Sequence, residues 1–236
     1  MNYLLYIILG LAPSIIWLSF YLRKDAHPEP KRTVLKVFFL GIGAAILAAC
    51  IENLISIGFL KLNSSRILIQ AAYIFLGVAL TEESLKYFAV KNKYLGVLGE
   101  SEFDEPLDVM LYMIISALGF AALENVLLFF YGNLQFFETV LVSVLRFIGA
   151  TFLHALCSGS LGFFMALSFF ERKKRKPLLF IGFAIATLLH GFYNFSIMKI
   201  TGGLRFLFPV LILGSLAVFV SSGFKKLQKM RSVCKI

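Results

Sequence analysis

The feature that most restricts this chain is a set of long apolar runs that recur from one end to the other, at about 3–22, 33–60, 67–90, 107–131, 138–170, 178–198 and 204–224. A helix of about 18 or more such residues crosses a hydrocarbon layer of roughly 30 Å. In lipid every backbone N–H and C=O must be paired internally, which a helix does alone. The sequence therefore predicts an all-α fold, a polytopic transmembrane helix bundle of about seven spans. Composition closes off the soluble alternative. Only 15% of residues are charged and 59% are hydrophobic, where a soluble domain carries about a quarter charged residues. The fifth run is too long for a simple crossing and is expected to tilt, kink or extend beyond the bilayer. The first has no cation before it and ends in Tyr-Leu-Arg-Lys, so it reads as a permanent span and not a cleavable signal.

The net charge is +10, which in a soluble chain would suggest nucleic acid. Here the cations sit in loops and the tail, and orientation in a membrane accounts for them without a nucleic-acid partner. The segments after spans 1, 3, 5 and 7 hold 16 Lys and Arg; those on the other side hold 4: Lys61, Arg66, Lys199 and Arg205. This bias predicts an outside amino terminus and a cytoplasmic carboxyl terminus. The expected organisation is one integral domain, 1–236, in the cell membrane, with the lipid bilayer as its solvent and a catalytic core over about 67–198. The longest loop, about 91–106, is acidic and polar and is expected at the cytoplasmic surface. Cys50, Cys157 and Cys234 lack metal or redox spacing.

An ionisable side chain near mid-bilayer costs roughly 2.5–3.5 kcal/mol by insertion scales. This chain places Glu82, Glu83 and Lys86 in span 3, Glu124 in span 4, Arg146 and His154 in span 5, and His190 in span 6. Kept apart in lipid, even four of them would cost on the order of 10 kcal/mol, as much as the whole stability of a typical fold. They are expected to converge on one hydrated pocket.

On a helix, Glu82 and Lys86 are i and i+4 with the acid first, the better order for an ion pair. Glu83 is rotated about 100° from Glu82, so the two carboxylates have different surroundings. One can be paired while the other is held in a drier place, which suits general-base work; the alternative is a packing ion pair with a spare acid. Span 4 carries Gly119-Phe120-Ala121-Ala122-Leu123-Glu124-Asn125, whose small residues permit close helix approach. Glu124 and Asn125 serve either as an interhelical clamp or as catalytic support, and Asp108 reads as a cap. His154 has Ser158 one turn on, and His190 shares a face with Asn194. Arg146 is a candidate counter-ion for Glu124, His27 is expected at the surface, and Glu52 is unassigned.

These residues resemble the motifs of the PrsW family of membrane proteases, which cleave anti-sigma factors, and are similar to the wider CAAX-protease and bacteriocin-processing superfamily. The likeness consists of Glu-Glu-x-x-Lys at Glu82, Glu83 and Lys86, Phe-x-x-x-Glu-Asn at Phe120, Glu124 and Asn125, a later His154, and His-x-x-x-Asn at His190 and Asn194. The motifs fall in order over spans 3 to 6. The CAAX branch usually has Glu-Glu-x-x-x-Arg; the earlier Lys86 favours the PrsW branch. Arg146 and Gly149-Ala150 precede His154, as an arginine and small residues often do there. The resemblance implies peptide-bond hydrolysis and a single-pass, anti-sigma-factor-like membrane protein as substrate.

The expected mechanism is metal-free. Glu82 activates water, Glu83 and Lys86 set its basicity and orientation, and His154 moves a proton or positions the water. His190 and Asn194 donate to the oxyanion, and Glu124 and Asn125 orient a histidine or the substrate. The near alternative is Zn2+ on Glu82, His154 and His190, against which stand the lack of a His-Glu-x-x-His helix and the charge of Lys86. From another class, a proton-coupled transporter would use the same groups as a relay. A relay strings them across the membrane; a hydrolase brings Glu82, His154 and His190 within about one water of each other.

Overall fold

The computed structural model describes residues 3–25, 27–60, 66–91, 105–132 and 134–230. These form α1 (Tyr3–Leu22), α2 (Lys31–Leu60), α3 (Ile67–Ala72), α4 (Leu80–Lys91), α5 (Pro106–Tyr131), α6 (Phe136–Ile148), α7 (Ala150–Phe170), α8 (Arg175–Lys199) and α9 (Leu204–Gln228), with no strand among the described residues. Seven stretches are long and apolar enough to cross a membrane, and they coincide with the seven predicted runs. Helix ends overshoot the apolar stretches by a turn at Arg175 and Gln228, because backbone pairing continues past the last apolar side chain. Residues 92–104 of the acidic loop, together with Lys61, Arg231, Cys234 and Lys235, lie outside the described residues.

Helix α5 is the hub. Every residue from Pro106 to Ala122 is buried, and α1, α2, α4 and α7 pack around it. Two-thirds (67%) of its apolar window is buried, against 17% for α9 at the periphery. Glu105 and Asp108 form a capping box at its start, the Glu105 amide donating to Asp108 Oδ2 at 2.7 Å. The outer helices present large apolar side chains outward, such as Leu68, Phe137, Phe180 and Val218, which suits a lipid solvent.

Lipid supplies no hydrophobic drive between helices, so close packing must hold them together. At the α2–α5 crossing, a Cβ added to Gly41 would overlap the Ser116 carbonyl oxygen, and one added to Gly119 would overlap that of Phe38. Backbone meets backbone there, as the small residues of span 4 predict.

The long fifth run is two helices. Gly149 (φ −108°, ψ −99°) separates α6 from α7, so the run is kinked. Trp17 of α1 covers the break. Its indole N–H donates to the Phe147 carbonyl at 2.8 Å, and its ring stacks on Phe152 at 4.2 Å. A π-helical segment, Tyr73–Ala79, leads into α4 immediately before Glu82. Such wide turns recur at functional sites.

Candidate active site

Glu82 and Glu83 lie in the first turn of α4, and the structure separates their environments. Glu83 is fully buried with both oxygens engaged. Its Oε1 accepts from Lys86 Nζ at 2.8 Å and faces His190 Nδ1 at 3.0 Å, while Oε2 accepts from Ser158 Oγ at 2.7 Å. Glu82 Oε2 accepts from Lys86 at 3.1 Å and lies 3.6 Å from His154 Nδ1 and 3.9 Å from His190 Nε2. Lys86, itself fully buried, also contacts His154 Nδ1 at 2.8 Å and sits 4.3 Å from the Phe120 ring centroid. The motif phenylalanine thus caps a buried ammonium by a cation–π contact.

Donor logic assigns the imidazoles. An ammonium only donates, so His154 Nδ1 accepts from Lys86 and its Nε2–H donates to Glu124 Oε2 at 2.8 Å. His190 Nδ1–H donates to Glu83, which turns the Nε2 lone pair toward Glu82. Glu124 Oε2 also pairs with Arg146 at 2.9 Å, the expected counter-ion. Asn125 is a clamp. Its Nδ2 donates to the Gly10 carbonyl at 3.2 Å and to Thr151 Oγ1 at 3.1 Å, and its Oδ1 accepts from Arg146. Helices α1, α5, α6 and α7 meet at that one amide.

Glu82, Glu124, Arg146, His154, His190 and Asn194 border a cavity of about 500 Å³ walled in part by α6 and α9, and Glu83, Lys86 and Asn125 each pair directly with a residue that borders it. This size lies within the range of about 300–1,000 Å³ typical of ligand sites. With neutral imidazoles, Glu82, Glu83 and Glu124 outnumber Lys86 and Arg146, which leaves an uncompensated negative charge that favours uptake of a cation or proton. One donor atom each from Glu82, His154 and His190 lie within 4.8 Å of one another. These three groups share one place; they are not strung across the membrane. Glu52, half-buried on α2, has one carboxylate oxygen without a hydrogen-bond partner among the described residues. His27 is 76% exposed by its side chain and pairs with Glu105.

A family model described as the PrsW family of intramembrane metalloproteases matches residues 29–222. The chain belongs to the PrsW family. Among its relatives, the protease PrsW of Geobacillus kaustophilus is 34% identical over 113 residues, 48% of this chain and 46% of that protein. The protease PrsW of Oceanobacillus iheyensis is 32% identical over 112 residues, 48% of each chain. That of Bacillus subtilis is 31% identical over 113 residues, 48% of each chain. Each match spans about half the length of the relative. No solved structure matches significantly. As a PrsW family member with seven spanning helices, the chain is a multi-pass integral protein of the cell membrane.

Two residues that the sequence left without a role enter the site. Ser158 holds Glu83; its spacing one turn from His154 was the available signal. Tyr193 lines the cavity three residues after His190, and no local pattern distinguished it from an ordinary apolar-face aromatic.

Proposed function

We propose that the chain hydrolyses a peptide bond of a single-pass, membrane-anchored protein, of the anti-sigma-factor kind, inside the bundle. The observation that carries this is the meeting of Glu82, His154 and His190 at the wall of one cavity inside the helix bundle. The protease names of the PrsW relatives support it.

We favour zinc over the metal-free form expected from sequence, because the donor chemistry fits. Two imidazoles and a carboxylate converge, and each imidazole has its second nitrogen on a further carboxylate, Glu83 for His190 and Glu124 for His154. Held by Glu82, His154 and His190, the ion would supply a Lewis acid and an acidified water. The protein's own groups do the rest. Glu124 receives His154 and Arg146 on Oε2, leaving Oε1 to take a proton from water and return it to the departing amine. Arg146, fixed by Asn125, keeps that carboxylate aimed. Asn194, without a hydrogen-bond partner among the described residues, offers its amide to the substrate backbone.

The metal-free reading is supported by one contact. Lys86 Nζ already sits 2.8 Å from His154 Nδ1 and 3.1 Å from Glu82, where it competes with a metal. In that form Glu82 is the general base. The experiment uses purified protein in detergent with an internally quenched single-pass peptide, and co-expression with single-pass reporters. The expected results are stoichiometric zinc, inactivation by a chelator with recovery on adding zinc, and loss of both zinc and cleavage in Glu82→Gln. Full activity of a metal-free preparation would transfer the role to Glu82 as base. Undiminished cleavage by Glu82→Gln would remove both forms.

A further inference from the structure

The charge that develops on the scissile carbonyl oxygen needs donors, and one of the two residues expected from sequence is already engaged. His190 has one ring nitrogen on Glu83 and the other turned to Glu82. A different donor set stands at the cavity wall. Tyr193 is 6% exposed and lines the cavity, yet its hydroxyl has no hydrogen-bond partner among the described residues. Buried phenols ordinarily find one. At i+3 from His190 it shares that residue's face of α8.

The hydroxyl rests in a notch at Gly149. A Cβ there would collide with Tyr193 Oη and lie 2.8 Å from the Leu145 carbonyl oxygen, so only glycine leaves the space. The same glycine ends α6 and opens α7. The hydrogen-bond ladder of α7 begins with Leu153 N donating to the Gly149 carbonyl at 2.8 Å. The amides of Ala150, Thr151 and Phe152 therefore precede it, as first-turn donors at the positive end of a 21-residue helix. Gly149 and Ala150 line the cavity, and His154 follows one turn later on the same helix.

We propose that the Tyr193 hydroxyl and the first-turn amides of α7 form an oxyanion-binding site, which the glycine break at 149 opens to the cavity. The inference rests on the hydrolytic reading above. As the water oxygen bonds to the carbonyl carbon, the C=O π pair moves onto oxygen, and the O–H and N–H groups donate to it without giving up their protons. The C–N bond then breaks, and the proton taken from water leaves with the amine.

The test measures kcat and KM for the quenched single-pass peptide with wild type, Tyr193→Phe, Gly149→Ala and the double variant, with Glu82→Gln as the inactive control. Tyr193→Phe keeps the ring and so the packing. It is expected to lower kcat by about 10²–10³-fold, with KM, zinc content and thermal stability little changed. Gly149→Ala also lowers kcat, and costs less in the Tyr193→Phe background because the hydroxyl it displaces is already gone. Wild-type kcat in Tyr193→Phe overturns the inference while leaving the hydrolytic reading standing. If wild type cleaves no more than Glu82→Gln, the hydrolytic reading itself falls, and the oxyanion site with it.

Discussion

Glu82 and Glu83 are neighbours in sequence and opposites in situation. A rotation of about 100° per residue sends them to different faces, one to the cavity and the other into a shell of Lys86, His190 and Ser158. Glu83 is best understood as a pivot that fixes a lysine and a histidine, not as a group that meets substrate. Ser158→Ala leaves one oxygen of this fully buried carboxylate without its donor. Hydrogen bonds to charged groups contribute about 1.5–3 kcal/mol, and a loss of that order is expected in the unfolding of the detergent-solubilised protein. Lys86→Met removes the only cation that contacts both Glu82 and Glu83 among the described residues. Breaking a buried ion pair from one side costs about 3–5 kcal/mol, so the variant is expected to accumulate poorly in membranes, read by immunoblot. Normal accumulation and stability would show that these carboxylates do not depend on Lys86.

Between elements, the firmest constraint is the α2–α5 crossing, because Phe120 and Glu124 take their positions from α5, and Phe120 in turn covers the Lys86 ammonium of α4. Gly119→Ala forces α2 and α5 apart at the Phe38 carbonyl. Overpacking of this kind costs about 1–3 kcal/mol. Gly43→Ala lies on the same α2 with nothing within 4 Å of the added Cβ, and is expected to be neutral or slightly stabilising through helix propensity. Thermal unfolding of the two variants side by side checks the crossing; equal midpoints would contradict it. The break between α6 and α7 is the second device of this scale. It turns one overlong apolar run into two helices, the second of which starts beside the cavity, and Trp17 satisfies the Phe147 carbonyl that the break would otherwise leave exposed.

For the whole molecule, seven stretches are long and apolar enough to cross a membrane. The cation bias of the loops leads us to propose an outside amino terminus and a cytoplasmic basic tail. A fluorescent protein fused after residue 236 is expected to mature, and a periplasmic-type phosphatase fused there to be inactive. The reverse result would invert the topology without touching the site.

The sequence by itself determined the number and nature of the spans, the overlong fifth run, the motif-bearing helices and the separation of the two adjacent glutamates. Those properties are local: hydropathy is counted along one segment, and the helix period relates residues a few positions apart. Only the tertiary structure decided that Glu83 is held by Ser158 and His190, 75 and 107 positions away, that Asn125 ties four helices together, and that Tyr193 finds room at Gly149. Such partners depend on how each helix is rotated and how closely two backbones can cross. Packing between distant segments sets both, and spacing along the chain does not carry them.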